Sequence, residues 1–355
     1  MTTSISKSFA IMILISSVII ACQKEMANKP GKEVLTNSFL SRDDNNNKKN
    51  ERTLLFISYR DDSKGEIYAM NLNGSSVLRL TYDTIPDGRA TWSSNGQHIA
   101  FASGPTNNRD IFVMNANGNG RRNITNTTGK DEEWPEWSPQ WKNDDDDVDD
   151  YPISGKQKSP VFPNNKEEEN ERGKNIIFSS NSDGNHEIYR YDFEEQSVTR
   201  LTNRTQDDKW PTYSPDGRKI AFQSNLGTGL GLTDIFVMNA DGSNIIQLTN
   251  SAALDQMPTW SPDGKKIAFM SSRDGNPEIY VMNADGSAQT RLTNFPGIDA
   301  RPCWSKQTGL IVFTSTRDFP STALTSYEIY SMNGDGSNPV RLTSNSIYDD
   351  YPFIK

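Results

Sequence analysis

Short segments in which apolar and polar residues alternate recur along the chain, separated by turn residues. In the clearest stretch they are PTWS (258–261), KIAFMSS (266–272), EIYVMN (278–283) and QTRLT (289–293). A period of two is typical of half-buried β-strands, and no window shows the period of a long amphipathic helix. Ser-Pro-Asp-Gly and Asn-Ala-Asp-Gly stand between these segments and favour tight turns. The pattern therefore predicts antiparallel four-stranded meanders.

Two motifs repeat six times and set the organisation of the chain. The first, an acid followed by Ile and an aromatic residue, recurs at intervals of 44, 77, 47, 44 and 50 residues, and the second is a Leu-Thr or Ile-Thr pair. These intervals match a four-stranded propeller blade, and the longest one contains an insertion. The acids of the first motif are Glu66, Asp110, Glu187, Asp234, Glu278 and Glu328, and the threonines of the second are Thr81, Thr125, Thr202, Thr249, Thr293 and Thr343.

The first and last repeats predict how the ring closes. Residues 53–60 (TLLFISYR) correspond to the second strand of a blade, whereas residues 349–355 (DDYPFIK) correspond to a first strand. A lone meander leaves its faces and edges exposed, and a closed ring of meanders buries them. We therefore predict an all-β fold, a six-bladed β-propeller of four-stranded antiparallel blades in which the C-terminal strand joins the first blade. The innermost strands are expected near 89–93, 134–138, 210–214, 257–261, 301–305 and 351–355.

The best-formed repeat, DQMPTWSPDGKKIAFMSSRDGNPEIYVMNADGSAQTRLTN, resembles the WD-repeat-like β-propeller of the TolB family of Gram-negative envelope proteins. The resemblance extends over nearly all of residues 53–355. It implies a protein-binding propeller, since TolB docks a peptidoglycan-associated lipoprotein on its propeller. TolB carries an α/β domain before its propeller, and residues 23–53 are too few for one, so contacts made through that domain are not expected here.

The first residues of the chain predict export and a lipid anchor. An apolar run from Phe9 to Ala21 is too short to span a bilayer and is typical of a signal peptide. Cys22 follows Ile-Ile-Ala, which resembles the lipobox of bacterial lipoproteins, whereas a chance cysteine after an ordinary signal peptide is the alternative. An outer-membrane location facing the periplasm is expected, with surface exposure as the other orientation. The predicted segments are a signal peptide at 1–21, a flexible tether from lipidated Cys22 at 22–52 and the propeller at 53–355.

Charge narrows the range of partners. The net charge of −9 disfavours nucleic acid, whose phosphates require a basic face. Residues 143–173 hold ten acids and four bases, a net of −6, and are predicted to form a solvated acidic insertion loop. Cys303 is the only cysteine besides Cys22, so no disulfide framework is expected, and its apolar neighbours predict a buried side chain.

An acid precedes each predicted innermost strand. In the second blade it is Asp87, five residues before Trp92, and the other five blades have an acid at the equivalent position. One interpretation is a ring of carboxylates around the channel mouth that binds calcium or a basic partner. The other is that each acid caps its own turn by accepting backbone N–H bonds, a task that every copy shares. The acids are Asp87, Glu132, Asp208, Asp255, Asp299 and Asp349.

Two residues after each acid the copies diverge, which suggests recognition because a position needed for folding would be alike in all copies. Aromatic residues and arginines are the commonest anchors of protein interfaces, whereas packing between blades is the alternative. His186, at the start of a third strand on the same face, is a further candidate for binding. The divergent residues are Arg89, Trp134, Trp210, Met257, Arg301 and Tyr351.

The sequence favours a binding protein over an enzyme. It has no Gly-x-Ser-x-Gly nucleophile motif, and its histidines are His98 and His186. We expect a non-enzymatic scaffold of the cell envelope that docks a protein partner, for instance a peptidoglycan-associated or outer-membrane protein, at the channel mouth. No cofactor other than calcium at the acidic ring is expected. The alternative is a glycosidase, lyase or calcium-dependent enzyme that acts at the acidic mouth.

Overall fold

The computed structural model describes residues 52–61, 63–139, 175–225, 231–318, 327–345 and 348–355. The predicted signal peptide, Cys22, the tether up to residue 51 and the insertion 143–173 lie outside these ranges. The described ranges fold into strands and turns, and they contain no helix that could span a membrane.

The described strands form six four-stranded antiparallel sheets, the blades of a propeller. The predicted fold class is thereby confirmed. Blade 1 comprises β24 (Asp349–Ile354), β1 (Leu54–Ser58), β2 (Glu66–Met70) and β3 (Leu78–Arg79). Blade 2 comprises β4 (Asp87–Trp92), β5 (His98–Ser103), β6 (Asp110–Asn115) and β7 (Arg122–Asn123). Blade 3 comprises β8 (Glu132–Trp137), β9 (Asn175–Ser180), β10 (Glu187–Asp192) and β11 (Ser197–Arg200).

The remaining three blades follow the same plan. Blade 4 comprises β12 (Asp208–Tyr213), β13 (Lys219–Asn225), β14 (Thr233–Asn239) and β15 (Ile246–Gln247). Blade 5 comprises β16 (Asp255–Trp260), β17 (Lys266–Ser271), β18 (Glu278–Asn283) and β19 (Thr290–Arg291). Blade 6 comprises β20 (Asp299–Trp304), β21 (Leu310–Ser315), β22 (Glu328–Asn333) and β23 (Val340–Arg341).

The ring closes as the sequence predicts, because β24 pairs with β1. Leu54 lies opposite Ile354 and Ser58 lies opposite Asp349 in this antiparallel pair. The innermost strands of neighbouring blades contact one another around the whole ring, including β24 with β4 and with β20. Blades 1 and 4 therefore stand opposite each other across the central channel, as do blades 3 and 6.

In blades 1, 3, 4, 5 and 6 a hydrogen bond between the two repeating motifs joins the outermost part of the blade to the third strand. In blade 5, Thr293 Oγ1 donates to Glu278 Oε2 at 2.5 Å and accepts the backbone N–H of Ile279 at 2.9 Å. Arg291 Nη2 donates to the other oxygen of Glu278 at 2.6 Å. A buried carboxylate needs such partners, since unpaired it would destabilise the fold. Threonine–acid bonds of the same kind join the two motifs in blades 1, 3, 4 and 6.

The hydrophobic core lies between the blades. One cluster combines Ile235 and Val237 of blade 4 with Trp260 and Phe269 of blade 5. A fully buried phenylalanine occupies the second strand of every blade, which explains why the repeat keeps an aromatic residue there. These phenylalanines are Phe56, Phe101, Phe178, Phe222, Phe269 and Phe313.

Each innermost strand contains a β-bulge that the alternation of residues did not predict. The register shifts between Gln256 and Thr259 in blade 5, and at the equivalent place in the other blades. A bulge adds one residue to one strand of a pair. The innermost strands extend through the bulge and begin at the acids, two residues before the predicted starts. The bulged residues adopt left-handed backbone angles, φ 50° to 58°, at Arg89, Trp134, Trp210, Met257, Arg301 and Tyr351.

Candidate functional site at the channel mouth

The bulges direct the divergent residues toward the central channel. Five of the six line one cavity of about 80 Å³. From blade 5 the cavity is lined by Pro258 and Thr259 rather than by Met257. The five residues that line it are Arg89, Trp134, Trp210, Arg301 and Tyr351. A proline or alanine follows each bulged residue in all six strands, so the next backbone position does not donate a ladder hydrogen bond in five of them.

An aromatic stack crosses the channel at this level. Trp134 and Trp210 stack with ring centroids 5.0 Å apart, and Trp210 stacks on Tyr351 at 6.0 Å. Trp210 belongs to blade 4 and Tyr351 to the opposite blade 1. The guanidinium carbons lie 4.5 Å from the Trp134 ring for Arg89 and 4.4 Å from the Tyr351 ring for Arg301. Five of the divergent residues thus contact one another across the channel, Tyr351 also packs against the core between blades 1 and 2, and all six remain partly exposed.

Both arginines of the mouth are held by carboxylates. Arg301 lies 3.0 Å from Asp350, which also accepts a hydrogen bond from Thr314 at 3.0 Å. Arg89 pairs with Glu133, as Arg109 does. Burial alone would lower the pKa of Arg301, but Asp350 beside it raises that pKa above its ordinary value. Both guanidinium groups therefore stay charged, at 19% exposure for Arg89 and 11% for Arg301.

The six acids are buried and do not form an open ring around the mouth. They are at most 4% exposed, and each turns into its own blade. Asp255 accepts hydrogen bonds from Ser271 Oγ at 2.6 Å and from Arg273 Nη2 at 2.8 Å. Within the described residues no group of three or more His, Cys, Asp or Glu side chains could hold a metal ion. The acids described here are Asp87, Glu132, Asp208, Asp255, Asp299 and Asp349.

The partners of these acids are mostly arginines that sequence reasoning missed. In blades 1, 5 and 6 the arginine comes from a Ser-x-Arg-Asp turn after the second strand, a recurring signal at 58–61, 271–274 and 315–318. Arg60, Arg273 and Arg317 bind the acid of their blade at 2.6 to 2.9 Å. Their guanidinium groups lie over the buried aromatic pair of the blade. The alternative of a structural task is thus supported, but through side chains instead of backbone N–H groups.

In blades 2 and 4 the same place is filled from other positions in the chain. Arg121, which precedes β7, reaches Asp87 at 3.1 Å and lies over Phe112. Arg204, which follows β11, reaches Asp208 at 3.4 Å and lies over Phe236. A guanidinium group therefore lies beside the acid in five blades, but the arginine that supplies it comes from three different positions in the repeat: after the second strand, before the fourth strand or before the innermost strand.

Blade 3 is the exception. Ser182 occupies the turn position of the arginines, because its N–H donates to Ser180 Oγ at 3.2 Å as that of Arg60 does to Ser58 Oγ at 3.4 Å. Glu132 Oε2 is buried without a hydrogen-bond partner, as is one oxygen of each of Asp208, Asp299 and Asp349. Burial raises the pKa of Glu132 to about 7, against about 6 for Asp87 and Asp208, where burial also dominates.

Known proteins share this architecture. A family model described as the Tricorn protease N-terminal β-propeller domain matches residues 231–351. TolB from Acinetobacter baumannii is similar with a TM-score of 0.62 and 19% identity, over 85% of this chain and 66% of that chain. A putative TolB from Agrobacterium tumefaciens is similar with a TM-score of 0.60 and 17% identity, over 82% of this chain and 89% of that chain. The fold is that of a TolB-like β-propeller.

A third solved structure shares this fold. A chain of the Kuenenia stuttgartiensis hydrazine synthase is similar to this TolB-like propeller, with a TM-score of 0.62 and 16% identity over 85% of this chain and 46% of that one. The chain spans just under two thirds of the Acinetobacter TolB and less than half of the hydrazine synthase chain. A fold does not by itself assign a function. The function depends on the side chains at the channel mouth.

His186 joins the mouth of the TolB-like propeller through Trp134, whose ring centroid lies 6.3 Å from its own. Its Nδ1 lies 3.2 Å from Ser179 Oγ, and its backbone N–H donates to Asp207 at 2.9 Å. Burial and the nearby Lys209 lower the pKa of His186 to about 4. The imidazole is therefore neutral at neutral pH and offers a contact surface beside the aromatic stack.

Proposed function

We propose that this chain is a non-enzymatic binding module of the Gram-negative cell envelope that docks a protein partner at the channel mouth. The observation that carries the proposal is the mouth itself, where two tryptophans, a tyrosine and two arginines form one partly exposed cluster. Such residues dominate the energetics of protein interfaces. Their backbone is fixed by bulges, so little order has to be gained when a partner binds.

The likeness to TolB structures supports the envelope location of this module. A peptidoglycan-associated or outer-membrane protein remains the partner class that we propose. We also propose that residues 1–21 are removed as a signal peptide and that Cys22 carries the lipid, with residues 22–52 as the tether. The chain would then face the periplasm from the outer membrane.

The anchor is tested by replacing Cys22 with serine and fractionating the cells. The full-length protein should partition with membranes and incorporate labelled palmitate, whereas Cys22→Ser should lose the label and move to the soluble fraction. Unchanged membrane partition of Cys22→Ser would contradict lipid anchoring at this residue.

Docking is tested by affinity capture from envelope extracts with residues 53–355 and with the double variant Trp134→Ala/Trp210→Ala. A matched control, Ile246→Ala/Val340→Ala, removes apolar side chains that are 45% and 54% exposed at the perimeter. We expect the mouth variant to lose a defined protein that the control retains, with both variants folded by circular dichroism. Equal capture by the two variants would place the docking surface elsewhere.

The alternative of a carbohydrate-active or calcium-dependent enzyme relied on free acids at the mouth. The six acids are instead buried within their blades, so the geometry gives this alternative no pair of exposed carboxylates to act as acid and base. Turnover of envelope polysaccharide by residues 53–355 would instead favour the enzyme over the binding module.

A further inference from the structure

Four buried polar atoms around the mouth cavity have no hydrogen-bond partner within the described part of the chain. They are Nε of Arg89, Nε of Arg301, Nε1 of Trp134 and Oγ1 of Thr91, and all four residues line the same cavity. Three of these atoms are N–H donors and the fourth is a hydroxyl, which can also donate. Leaving a buried donor unpaired costs about 1–3 kcal/mol, so proteins keep few of them.

The cavity wall is also cationic near the mouth. Arg89 and Arg301 line it, whereas their carboxylate partners Glu133 and Asp350 do not. Among the described lining residues the one acid is Glu136, and it faces Lys306 from the opposite blade at 3.6 Å. The group that fits this wall is therefore an anion with several acceptor lone pairs.

A carboxylate meets these requirements. Its two oxygens offer about four acceptor positions, and guanidinium groups bind it through strong charge-assisted hydrogen bonds. The cavity of about 80 Å³ has room for a carboxylate with its methylene stem. The stack of Trp134, Trp210 and Tyr351 lies beside it and offers an apolar surface for that stem.

We propose that the channel mouth is a carboxylate site that receives an aspartate or glutamate side chain of the protein partner between Arg89, Arg301 and Trp134. The proposal rests on the docking function above and adds the chemistry of the anchor residue. A partner segment lies across the mouth and one acidic side chain enters the cavity, where it accepts the hydrogen bonds that the protein leaves unmade.

Conservative variants separate these donors from the packing of the mouth. Trp134→Phe removes the indole N–H and keeps a ring against Trp210. The matched control is Trp210→Phe, because Trp210 Nε1 is not among the buried unpartnered atoms. Arg301→Lys keeps a cation near Asp350 but lacks the Nε donor, so it avoids leaving that buried carboxylate unpaired.

The probes are sodium acetate and acetamide, added to ¹⁵N-labelled residues 53–355 at low chloride. Acetate should shift the indole N–H signal of Trp134, which is assigned by its loss in Trp134→Phe, and acetamide should not. We expect acetate affinity to fall at least fivefold in Trp134→Phe and in Arg301→Lys, and less than twofold in Trp210→Phe. No acetate-dependent shift of this signal, or an equal shift with acetamide, would overturn the proposal.

The source of the carboxylate is resolved with three peptides: Gly-Ser-Asp-Ser-Gly and its asparagine counterpart, both capped at the two ends, and Gly-Ser-Ser-Gly capped only at its N-terminus. Binding of the aspartate peptide alone supports an acidic side chain, whereas binding of only the free C-terminus overturns that assignment. The docking function and the carboxylate site can fail separately. If capture depends on Trp134 and Trp210 but acetate does not bind, docking stands and the carboxylate site is wrong. If acetate binds but the mouth variant captures the same proteins as the control, the docking function is wrong.

Discussion

Burial raises the pKa of Glu132 from 4.5 to about 7, and it raises the pKa of the arginine-paired Asp87 and Asp208 from 3.8 to about 6. The acids of the other five blades each have an arginine within 3.4 Å, whereas Glu132 forms no ion pair within the described residues, and the nearby hydroxyls of Thr125 and Thr127 oppose the effect of burial on its pKa only in part. Desolvation disfavours the charged form when no cation offsets it. Glu132 is thus poised to titrate near neutral pH although it is 2% exposed.

Replacing Ser182 with arginine should restore the arrangement of the other blades. The new guanidinium would lie over Tyr189 and beside Glu132, so we expect a gain of about 1–2 kcal/mol in the free energy of unfolding at pH 7.5. Denaturant titration measures this gain, and Ser182→Met is the control of similar length without charge. An equal gain in both variants would mean that filled space, not charge, is responsible.

Glu132→Gln should change how stability depends on pH. The pKa of Glu132 is raised from 4.5 to about 7 in the folded state, so the folded state binds its proton more tightly than the unfolded state does. This group therefore favours folding at low pH, and that contribution is lost as the pH rises from about 4.5 to about 7.

Glutamine does not titrate, so the Glu132→Gln variant does not lose this contribution as the pH rises. The free energy of unfolding of the variant, relative to that of the unmodified protein, should therefore be larger at pH 8 than at pH 5. The gain has an upper limit of about 3 kcal/mol. Melting temperatures at both pH values measure it, with Glu194→Gln, an exposed acid of the same blade, as the control. A constant difference between variant and unmodified protein across this range would contradict the raised pKa.

The bulged innermost strands set the geometry of the mouth at the scale of the element. A left-handed backbone costs a residue other than glycine roughly 1 kcal/mol, and six strands carry this strain at the same place. Strain of this kind is retained where the surrounding structure or the function requires it. Here it presents the side chain of a bulged residue to the channel while the rest of the strand stays in the ladder.

Met257 is the bulged residue at which this strain can be removed without altering the cavity, since it does not line the cavity. Met257→Gly should stabilise the protein by about 0.5–1 kcal/mol, because glycine adopts its φ of 57° without steric cost. Met257→Val should destabilise it, since β-branched residues fit that region poorly. Thermal unfolding distinguishes the two, and a destabilised glycine variant would show that the Met257 side chain contributes more through packing.

The sequence predicted the blades well because their determinants are local. The acid of the third strand and the threonine of the fourth recur at fixed spacing, and these residues bind each other in the structure. The bulges were missed because alternation of residue types does not reveal a left-handed residue such as Trp210. The partners of the six acids could not be predicted, because the arginines come from three different sequence positions, and Arg121 and Arg204 have no counterpart in the other copies.

Closure of the ring decides the stability of the whole molecule. β24 supplies the innermost strand of blade 1, and Ile354 is 3% exposed between its neighbours. Deleting residues 349–355 should abolish cooperative unfolding, because β1 loses its pairing with β24 and the buried Arg301 loses the carboxylate of Asp350. Deleting Lys355 alone is the control that leaves β24 intact. A synthetic peptide of residues 348–355 should restore the transition, and a truncated protein that melts as sharply as the full one would contradict this role.

The stack across the channel has a consequence for the order in which the protein becomes functional. Tyr351 lies on β24, which follows every other strand of the ring in the chain, and Trp210 and Arg301 both rest against it. Since chains are synthesised from the N-terminus, a nascent molecule holds five prepared blades before it has a finished mouth. The proposed docking at the mouth therefore requires β24, and a protease that removed this strand would take Tyr351 from the mouth and Asp350 from Arg301 of blade 6.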